Sequence, residues 1–345
     1  MSGRRLRPAA AALAALLLTS AACTAGTDHD AREVTLAFGG DVHFEPAVAR
    51  LLTSPGSAFG AAGAPLRAAD LALVNLETPI TGRGEPQAKR YVFRAPTKGA
   101  EELSAAGIDA VSLANNHSMD FGRTGLADTI AAVGAVRVGA FGAGRDVDEA
   151  FRPWRAEVRG VRIAVFGFSQ VDDLAADWAA GPGRAGIALA ADTDRAVRAV
   201  AAARADSDLV IVMPHGGTEG DPCPTRRQQE FARRMIEAGA DIIVGAHAHV
   251  LQGAGRLGGG YVAYGLGNLL WYSPGLFPPF SARAGVLTLT VRDRTVVRSE
   301  LTPTVRSGSG RPEVLTGWRA AMARQNFTDL RGCAGLEAVD YAARP

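Results

Sequence analysis

Short apolar segments alternate with helix-like segments over most of this 345-residue chain. Strands are predicted at residues 34–38, 71–76, 110–114, 161–168, 209–213 and 242–244. Helices are predicted between them, at residues 100–106, 124–133, 194–204 and 225–238. Three further strands follow without intervening helices, at residues 261–264, 286–291 and 295–301. The pattern predicts an α/β fold with a late run of antiparallel strands.

Five of the six histidines come directly after predicted strands. Together with acidic and amide side chains they form a series of polar segments: Asp41-Val42-His43, Asn75-Leu76-Glu77, Asn115-Asn116-His117, His215 and His247-Ala248-His249. Ligand sites of α/β sheets form outside the carboxyl ends of strands, so we expect these segments to meet at one edge. A lone histidine there is more often a packed or surface residue, but five together favour a site.

The chemistry of these side chains fits divalent metal ions. Imidazole and carboxylate groups are ligands for Zn, Mn and Fe. Residues two apart in an extended segment point the same way, as expected for the pairs Asp41/His43 and His247/His249. Two ions about 3.5–4 Å apart hold an oxyanion and activate water near neutral pH. We therefore expect two divalent transition metals, Mn, Zn or Fe, as cofactors.

Charge and composition exclude two classes of protein. The chain has 37 basic and 35 acidic side chains and a formal net charge of +2, so nucleic-acid binding through a basic face is not expected. Apolar residues make up 47% of the sequence, which is typical of a folded chain rather than a disordered one. Only Lys89 and Lys98 are lysines, a bias that we attribute to a GC-rich genome.

Residues 1–22 are predicted to form an export signal. The basic residues Arg4, Arg5 and Arg7 precede an apolar run at 9–18, and small residues follow it. The apolar run is shorter than the roughly 20 residues that a membrane-spanning helix needs. A buried N-terminal helix is the alternative interpretation.

Cys23 resembles the lipid-modified cysteine of bacterial lipoproteins, because it directly follows a Ser-Ala-Ala sequence. Residue Ser20 departs from that pattern, which usually has leucine or a similar residue three positions before the cysteine. The resemblance implies an exported protein held at the outer face of the cell membrane by a lipid on Cys23, and plain secretion is the alternative. Residues 23–32 are polar and are predicted to be a tether.

Two cysteines remain, Cys223 and Cys333. An exported chain works where disulfides persist, so we expect the two to pair with each other. Two unpaired buried thiols are the alternative.

Residues 33–304 are predicted to form one body, because no long linker interrupts them. Residues 305–345 are predicted to be a tail with one short helix near 315–323. Within the body, Gly39-Gly40 is expected to end the first strand.

The order of the polar segments resembles the calcineurin-like metallophosphoesterase superfamily, which shows D-x-H, G-D, G-N-H-[D/E], a lone H and G-H-x-H. The chain is more closely similar to the bacterial capsule synthesis protein family of the CapA, or poly-γ-glutamate capsule, type. Four segments carry that similarity: NLETPIT (75–81), LANNHSMDFGRTGLADT (113–129), HGGTEGDPCPTRRQQEFARRMIEAGADIIVGAHAHVLQG (215–253) and YGLGNLLW (264–271). The resemblance covers nearly the whole predicted body.

The resemblance implies a four-layer αββα sandwich of the metallophosphoesterase type, with metals at one edge. One metal would be held by Asp41, His43, Glu77 and His249. Glu77 would bridge to a second metal, held also by Asn116, His215 and His247. His117 would act as a general acid or orient a substrate oxyanion, with Asp120 fixing its ring. Glu219 and Asn268 are expected to face the substrate or to support a ligand loop.

Three departures from the superfamily pattern stand out. Glu77 takes the place of the bridging aspartate and is one methylene longer. Ser118 replaces the usual acid directly after Asn-His, and Ala246 separates Gly245 from His247. Because the ligand types are kept, metal binding is a firmer expectation than any particular reaction.

Two functions are compatible with these residues. The first is a metal-dependent hydrolase acting on a phosphoester or on an amide of a capsule polymer. The second is a non-catalytic factor that binds or assembles an anionic cell-surface polymer. The expected partners are that polymer or a phosphoester substrate, and membrane-bound polymer synthases.

Overall fold

The computed structural model describes residues 32–172, 175–272 and 282–339. The predicted export signal, Cys23 and all but the last residue of the predicted tether lie outside the described residues. Among the residues described, no helix is long and apolar enough to cross a membrane.

The strands of these described ranges are short to medium in length. They are β1 (Glu33–Val42), β2 (Leu71–Leu76), β3 (Ala110–Ser112), β4 (Gly139–Phe141), β5 (Ala143–Gly144), β6 (Trp154–Val158), β7 (Val161–Ser169), β8 (Gly186–Ile187), β9 (Leu209–Gly216), β10 (Ile242–Val244), β11 (Ala246–His247), β12 (Ala254–Leu257), β13 (Gly260–Ala263), β14 (Asn268–Leu270), β15 (Arg283–Arg292), β16 (Thr295–Arg306) and β17 (Pro312–Val314).

The helices alternate with the strands through most of the chain. They are α1 (Pro46–Ala49), α2 (Gly63–Ala68), α3 (Lys98–Ala105), α4 (Gly122–Ala135), α5 (Val147–Ala150), α6 (Ala175–Trp178), α7 (Thr193–Arg204), α8 (Arg226–Glu237), α9 (Gly317–Asp329) and α10 (Arg331–Ala334). One turn of 3₁₀ helix covers Gly60–Ala62.

Most of the described strands form two large sheets, and β5 pairs with β8 in a separate two-stranded sheet. One sheet has the order β17-β16-β15-β1-β2-β3-β4, and β14 also pairs with β1. The other has the order β12-β13-β10-β9-β7-β6, and β11 also pairs with β9. The strands β1 to β4 are parallel, and β15, β16 and β17 extend that sheet in antiparallel fashion.

The two sheets pack face to face with helices outside. Leu36 of β1 and Ile211 of β9 belong to the same buried cluster, which lies between the sheets. Leu126 of α4 packs in a second cluster on the outer face of the first sheet. Phe231 of α8 packs in a third cluster on the outer face of the second sheet. These three cores separate four layers, so the αββα sandwich that the resemblance implied is confirmed.

The four helices predicted from the sequence lie within two residues of their predicted bounds, as α3, α4, α7 and α8. Side chains fix the beginnings of the last two. The Thr225 hydroxyl accepts a hydrogen bond from the Gln228 backbone, and the Gln228 side chain accepts one from the Thr225 backbone. Asp192 accepts the equivalent bond from Arg195 at the start of α7.

The prediction that Gly39-Gly40 ends the first strand is wrong. β1 continues through both glycines to Val42. A Cβ atom at Gly40 would overlap the carbonyl oxygen of Gly267, which lies just before β14. Gly40 therefore allows two backbones to approach closely, and a Cβ atom at Gly39 would meet the side chains of Leu269 and Val74, so neither glycine is there to form a turn.

The C-terminal residues are continuous with the fold. β16 runs across the predicted boundary at residue 304, and α9 extends well beyond the predicted short helix. A disulfide joins Cys223 to Cys333, with a Cα–Cα distance of 5.6 Å and 110 residues of sequence between them. It ties α10 to the loop that follows β9.

Candidate metal centre

The polar segments lie at the carboxyl ends of strands from both sheets. Asp41 is the next-to-last residue of β1, Glu77 follows β2, and Asn116 follows β3. His215 is near the end of β9, and His247 ends β11. All of the predicted metal-ligand side chains are buried, with residue exposures of 7% or less. The sandwich therefore encloses the cluster that the strand order predicts.

Unusual backbone conformations aim two of these side chains. His247 has φ of 91° and His249 has φ of 57°, in the left-handed region that non-glycine residues rarely adopt. The His247 amide lies 3.3 Å from an Asp41 carboxylate oxygen, and the Gly245 amide donates to Ala263 O at 2.7 Å. Strain of this kind persists where surrounding contacts hold it, and it occurs frequently at functional sites.

Four potential ligand atoms converge around His215. Its Nε2 lies 2.8 Å from Asn116 Oδ1, 3.1 Å from His247 Nδ1 and 3.5 Å from Glu77 Oε1. These four residues are the set that the resemblance implied for the second metal. The structure therefore brings that set together.

Asp41 and His249 form a second part of the cluster. Asp41 Oδ1 accepts a hydrogen bond from Asn75 Nδ2 at 2.8 Å, and Asp41 Oδ2 lies 3.1 Å from His249 Nδ1. His249 Nδ1 also lies 2.8 Å from Asn268 Oδ1. A nitrogen facing two acceptors carries the proton, so the other ring nitrogen is the one turned toward Glu77 Oε1, 3.9 Å away.

His43 is buried beside these residues but is oriented differently. Its Nε2 accepts a hydrogen bond from the Tyr272 amide at 2.8 Å. Its ring stacks on Trp271 with centroids 4.0 Å apart.

Among the described residues, two overlapping groups of acidic and histidine side chains have ligand atoms close enough to share an ion. These groups are Glu77 with His247 and His249, and Asp41 with Glu77 and His215. Glu77 belongs to both groups, which suits a bridging residue. His43 belongs to neither group, and the assignment of individual histidines to one ion or the other stays a prediction.

His117 and Asp120 form a buried pair next to the cluster. His117 Nδ1 lies 2.7 Å from Asp120 Oδ2. Phe93 stacks on the His117 ring with centroids 4.0 Å apart. Holding Nδ1 in this way leaves Nε2 as the ring nitrogen able to exchange a proton with another group.

Burial dominates the electrostatics of the cluster. It lowers the pKa of His43 and His247 well below the ordinary histidine value, and the pKa of His215 to about 3. Burial, with the nearby charge of Asp41, raises the pKa of Glu77 well above its usual value. For His249, burial is outweighed by Glu77 and Asp41, which raise its pKa to about 9. An imidazole group must be neutral to bind a metal ion.

Two buried atoms test whether metal ions fit. Among the described residues, Glu77 Oε1 and His43 Nδ1 have no hydrogen-bond partner. A buried polar atom without a partner is costly and calls for an explanation. A divalent cation would satisfy Glu77 Oε1 and balance the buried carboxylates, so the residues present fit a metal site.

The two residues expected to face the substrate lie at different depths. Glu219 is exposed on the loop after β9. Burial still lowers the pKa of His215, and the charge of Glu219 opposes that effect only in part; for His249, Glu219 adds to the larger effect of Glu77 and Asp41, which raises the pKa. Asn268 is buried at the start of β14 and contacts His249. Glu219 therefore lies at the rim of the cluster, and Asn268 supports its interior.

Sequence reasoning assigned no role in the site to four residues that shape it: Asn75, Lys89, Phe93 and Trp271. Asn75 lies two residues before Glu77 in a strand, so the period of two could have identified it. Lys89 is one of only two lysines in the chain, and that rarity was a usable signal. Nothing in the sequence pattern marked Phe93, which comes from a loop.

Comparison with known proteins gives the same picture. The family model described as "Bacterial capsule synthesis protein PGA_cap" matches residues 35–273. The PGA biosynthesis protein CapA of Bacillus subtilis is 34% identical over 208 residues, which are 59% of this chain and 54% of that protein. The capsule biosynthesis protein CapA of Bacillus anthracis is 34% identical over 187 residues, 53% of this chain and 45% of that protein. The chain thus spans about half the length of these relatives.

Solved structures agree on the fold. A 5′-nucleotidase candidate from Staphylococcus aureus superposes with a TM-score of 0.50 and 15% identity, covering 86% of this chain and 58% of that one. At this identity the likeness shows a shared metallophosphoesterase-type fold and nothing further. The family match covers more than half of the chain, and the protein therefore belongs to the bacterial capsule synthesis protein family.

Proposed function

We propose that this protein is an exported metal-dependent hydrolase acting in the metabolism of capsule or poly-γ-glutamate-type cell-surface polymers. The observation that carries the proposal is the buried cluster of carboxylates and imidazoles around Glu77, with the His117–Asp120 pair beside it. Family membership supports the polymer class, because the two Bacillus relatives are named for PGA and capsule biosynthesis.

The proposed site is dinuclear. Asp41, His43, Glu77 and His249 would hold one divalent ion, and Glu77, Asn116, His215 and His247 the other, with Mn, Zn and Fe as the candidate metals. When bound, such ions activate water and polarise a phosphoryl or carbonyl oxygen. His43 would have to exchange its hydrogen bond with the Tyr272 amide for a metal, because that bond occupies Nε2.

His117 would handle the proton of the leaving group. Asp120 holds Nδ1 at 2.7 Å, so Nε2 is the ring nitrogen that would face a substrate. The stacked Phe93 ring keeps the imidazole from rotating and excludes water from one of its faces. Glu219 at the rim and the supporting residue Asn268 would line and shape the substrate path.

The enclosure of the site favours one alternative function. The candidate ligands are at most 7% exposed, and a bulky polymer cannot reach such a site without movement of the protein. A polymer-binding or assembly factor for capsule biosynthesis, working beside membrane-bound synthases, would not need that access. In that case the metals would be structural, and an anionic polymer would bind at the rim.

Turnover by purified protein separates the two functions. The Mn- or Zn-loaded protein is assayed with bis-p-nitrophenyl phosphate, p-nitrophenyl phosphate and poly-γ-glutamate. The hydrolase proposal predicts turnover that His117→Ala lowers by about 10²- to 10⁴-fold while metal content stays the same. Absence of turnover on all three, with polymer binding that survives His117→Ala, would favour the assembly factor.

The proposed location is the outer face of the cell membrane, through a lipid on Cys23. Fractionation of producing cells tests this directly: Cys23→Ala should release the protein from the membrane fraction. An unchanged distribution would favour attachment by another route, and release of the unaltered protein would favour plain secretion.

A further inference from the structure

Lys89 lies in the loop between β2 and α3 and reaches into the candidate site. Its side chain is 12% exposed, and its Nζ atom lies 2.8 Å from Asp120 Oδ1. Nζ also donates to the backbone carbonyl of Asn116. Below it lies the Trp178 ring, with its centroid 4.9 Å from Nζ. Burying an ammonium group is costly unless it is paired, so these contacts account for its position.

Asp120 holds the loop that contains Lys89 next to the candidate site. Its carboxylate is fully buried, and its Oδ2 accepts hydrogen bonds from His117 Nδ1 at 2.7 Å and from the Phe93 amide at 2.6 Å. Oδ1 is taken by Lys89, and the Asp120 backbone carbonyl accepts from the Gln87 amide at 2.9 Å. Every oxygen of Asp120 therefore has a partner, and most of these partners come from residues 87–93.

The contact between Lys89 and the His117 ring has a different character. Nζ lies 3.3 Å from His117 Nδ1, farther than the 2.7 Å between Nδ1 and Asp120. An ammonium group can only donate, and a carboxylate can only accept. Lys89 and Asp120 therefore cannot both bond to the same ring nitrogen. The shorter distance indicates that Nδ1 carries the proton and donates a hydrogen bond to Asp120. Lys89 therefore acts on His117 through Asp120.

We propose that Lys89 is a positioning residue that fixes the orientation of His117 and of the Asn116 ligand loop. One ammonium group links two partners. They are Asp120, which orients the His117 ring, and the backbone of Asn116, the residue directly before His117. A single side chain thereby contacts both the residue that orients the His117 ring and the backbone of a predicted metal ligand. This inference rests on the proposed function for its catalytic consequence, but its structural content can be measured separately.

The test compares Lys89→Met with Lys98→Met, which removes the other lysine from an exposed position at the start of α3. Ring ¹⁵N chemical shifts of His117 are recorded in metal-free protein. Unaltered protein and Lys98→Met should show one tautomer, with the proton on Nδ1. Lys89→Met should show a mixture of tautomers. Two identical spectra would overturn the proposal.

Kinetics provide the second readout. With metal-loaded protein, Lys89→Met should lower kcat by about 10- to 100-fold, the range typical of residues that orient a metal ligand, and leave KM and metal content unchanged. A loss of melting temperature with unchanged kcat would mean a structural role only and would overturn the proposal. If the unaltered protein turns over no substrate, the hydrolase proposal fails, and the tautomer comparison still decides the role of Lys89.

A second variant covers the case in which Lys89→Met does not fold. Lys89→Gln keeps a donor for the Asn116 carbonyl and removes the charge. A mixed His117 tautomer in this variant supports the proposal. A single Nδ1-protonated tautomer with unchanged kcat contradicts it.

Discussion

Glu77 is the residue on which the site depends most. It belongs to both groups of potential ligands, and its Oε1 atom has no hydrogen-bond partner among the described residues. Asn75 donates to its other oxygen at 3.2 Å and to Asp41 at 2.8 Å.

Asn75 should tune the metal site without binding metal itself. Asn75→Leu removes the donor that orients Asp41 and Glu77, so we expect metal affinity to fall by about 10- to 100-fold. The measurement is competitive titration with a chelating indicator dye. Asn326→Leu, at an exposed position on α9, serves as the control and should bind metal normally. Equal affinity in both variants would contradict this role.

Ligand types could be predicted at this scale, but their orientation could not. The strand-end positions of His215 and His247 followed from apolar patterning, since the carboxyl ends of strands gather ligands. His247 and His249, which have positive φ angles, both contact Asp41, which is distant in sequence. For the same reason, the bond from His43 to the Tyr272 amide had no local signal.

At the scale of individual elements, the close approach of β1 and β14 positions Asp41. The Asp41 amide donates to Gly267 O at 3.0 Å, and Asp41 pairs in register with Asn268 of β14. Local sequence patterns predict a turn at Gly39-Gly40. They cannot show the real need for glycine, which comes from β14, more than 220 residues later. The helices α7 and α8 begin with local side-chain caps, whereas α3 and α4 have no side-chain capping bond and were predicted from composition and apolar spacing alone.

Gly40→Ala should disrupt this approach of β1 and β14. The added methyl group would overlap Gly267 O, and we expect a loss of about 1–3 kcal/mol or more in the free energy of unfolding. Urea denaturation measures the change. Gly82→Ala, where a Cβ atom would meet nothing within 4 Å, should be nearly neutral. Equal stability of the two variants would show that the strands do not need this glycine.

The capping box of α8 allows a matched comparison. Thr225→Ala removes a side-chain bond at the start of the helix, and we expect a loss of about 1 kcal/mol. Thr316 occupies the same position at α9 but makes no capping bond, so Thr316→Ala should cost much less. Thermal and urea unfolding of both variants would measure the difference, and equal losses would argue against a role for the Thr225 hydroxyl.

At the scale of the whole molecule, the site exists because two sheets meet. Asp41 and Glu77 come from the first sheet, and His215 and His247 from the second. Sequence patterns identified nine of the seventeen described strands. They did not give the distribution of strands between two sheets, because pairing is decided by long-range packing of the core. The fold was predictable only through the resemblance, whose motifs span both sheets.

The disulfide should stabilise the molecule by restraining its unfolded chain. Cys223→Ser and Cys333→Ser are each expected to lower the free energy of unfolding by about 2–5 kcal/mol. The double variant should match either single variant, because all three lack the same bond. Urea unfolding with and without reductant provides the measurement. If reduction left the stability of the unaltered protein unchanged, the bond would have no such role.

The central claim is that the buried cluster around Glu77 binds divalent metal ions. Elemental analysis of purified protein, after equilibration with Mn or Zn and removal of free metal, tests it most directly. We predict two ions per chain in the unaltered protein and a clear loss in Glu77→Gln, which keeps the shape of the side chain but not its charge. Less than one transition-metal ion per chain in the folded, unaltered protein would contradict the claim.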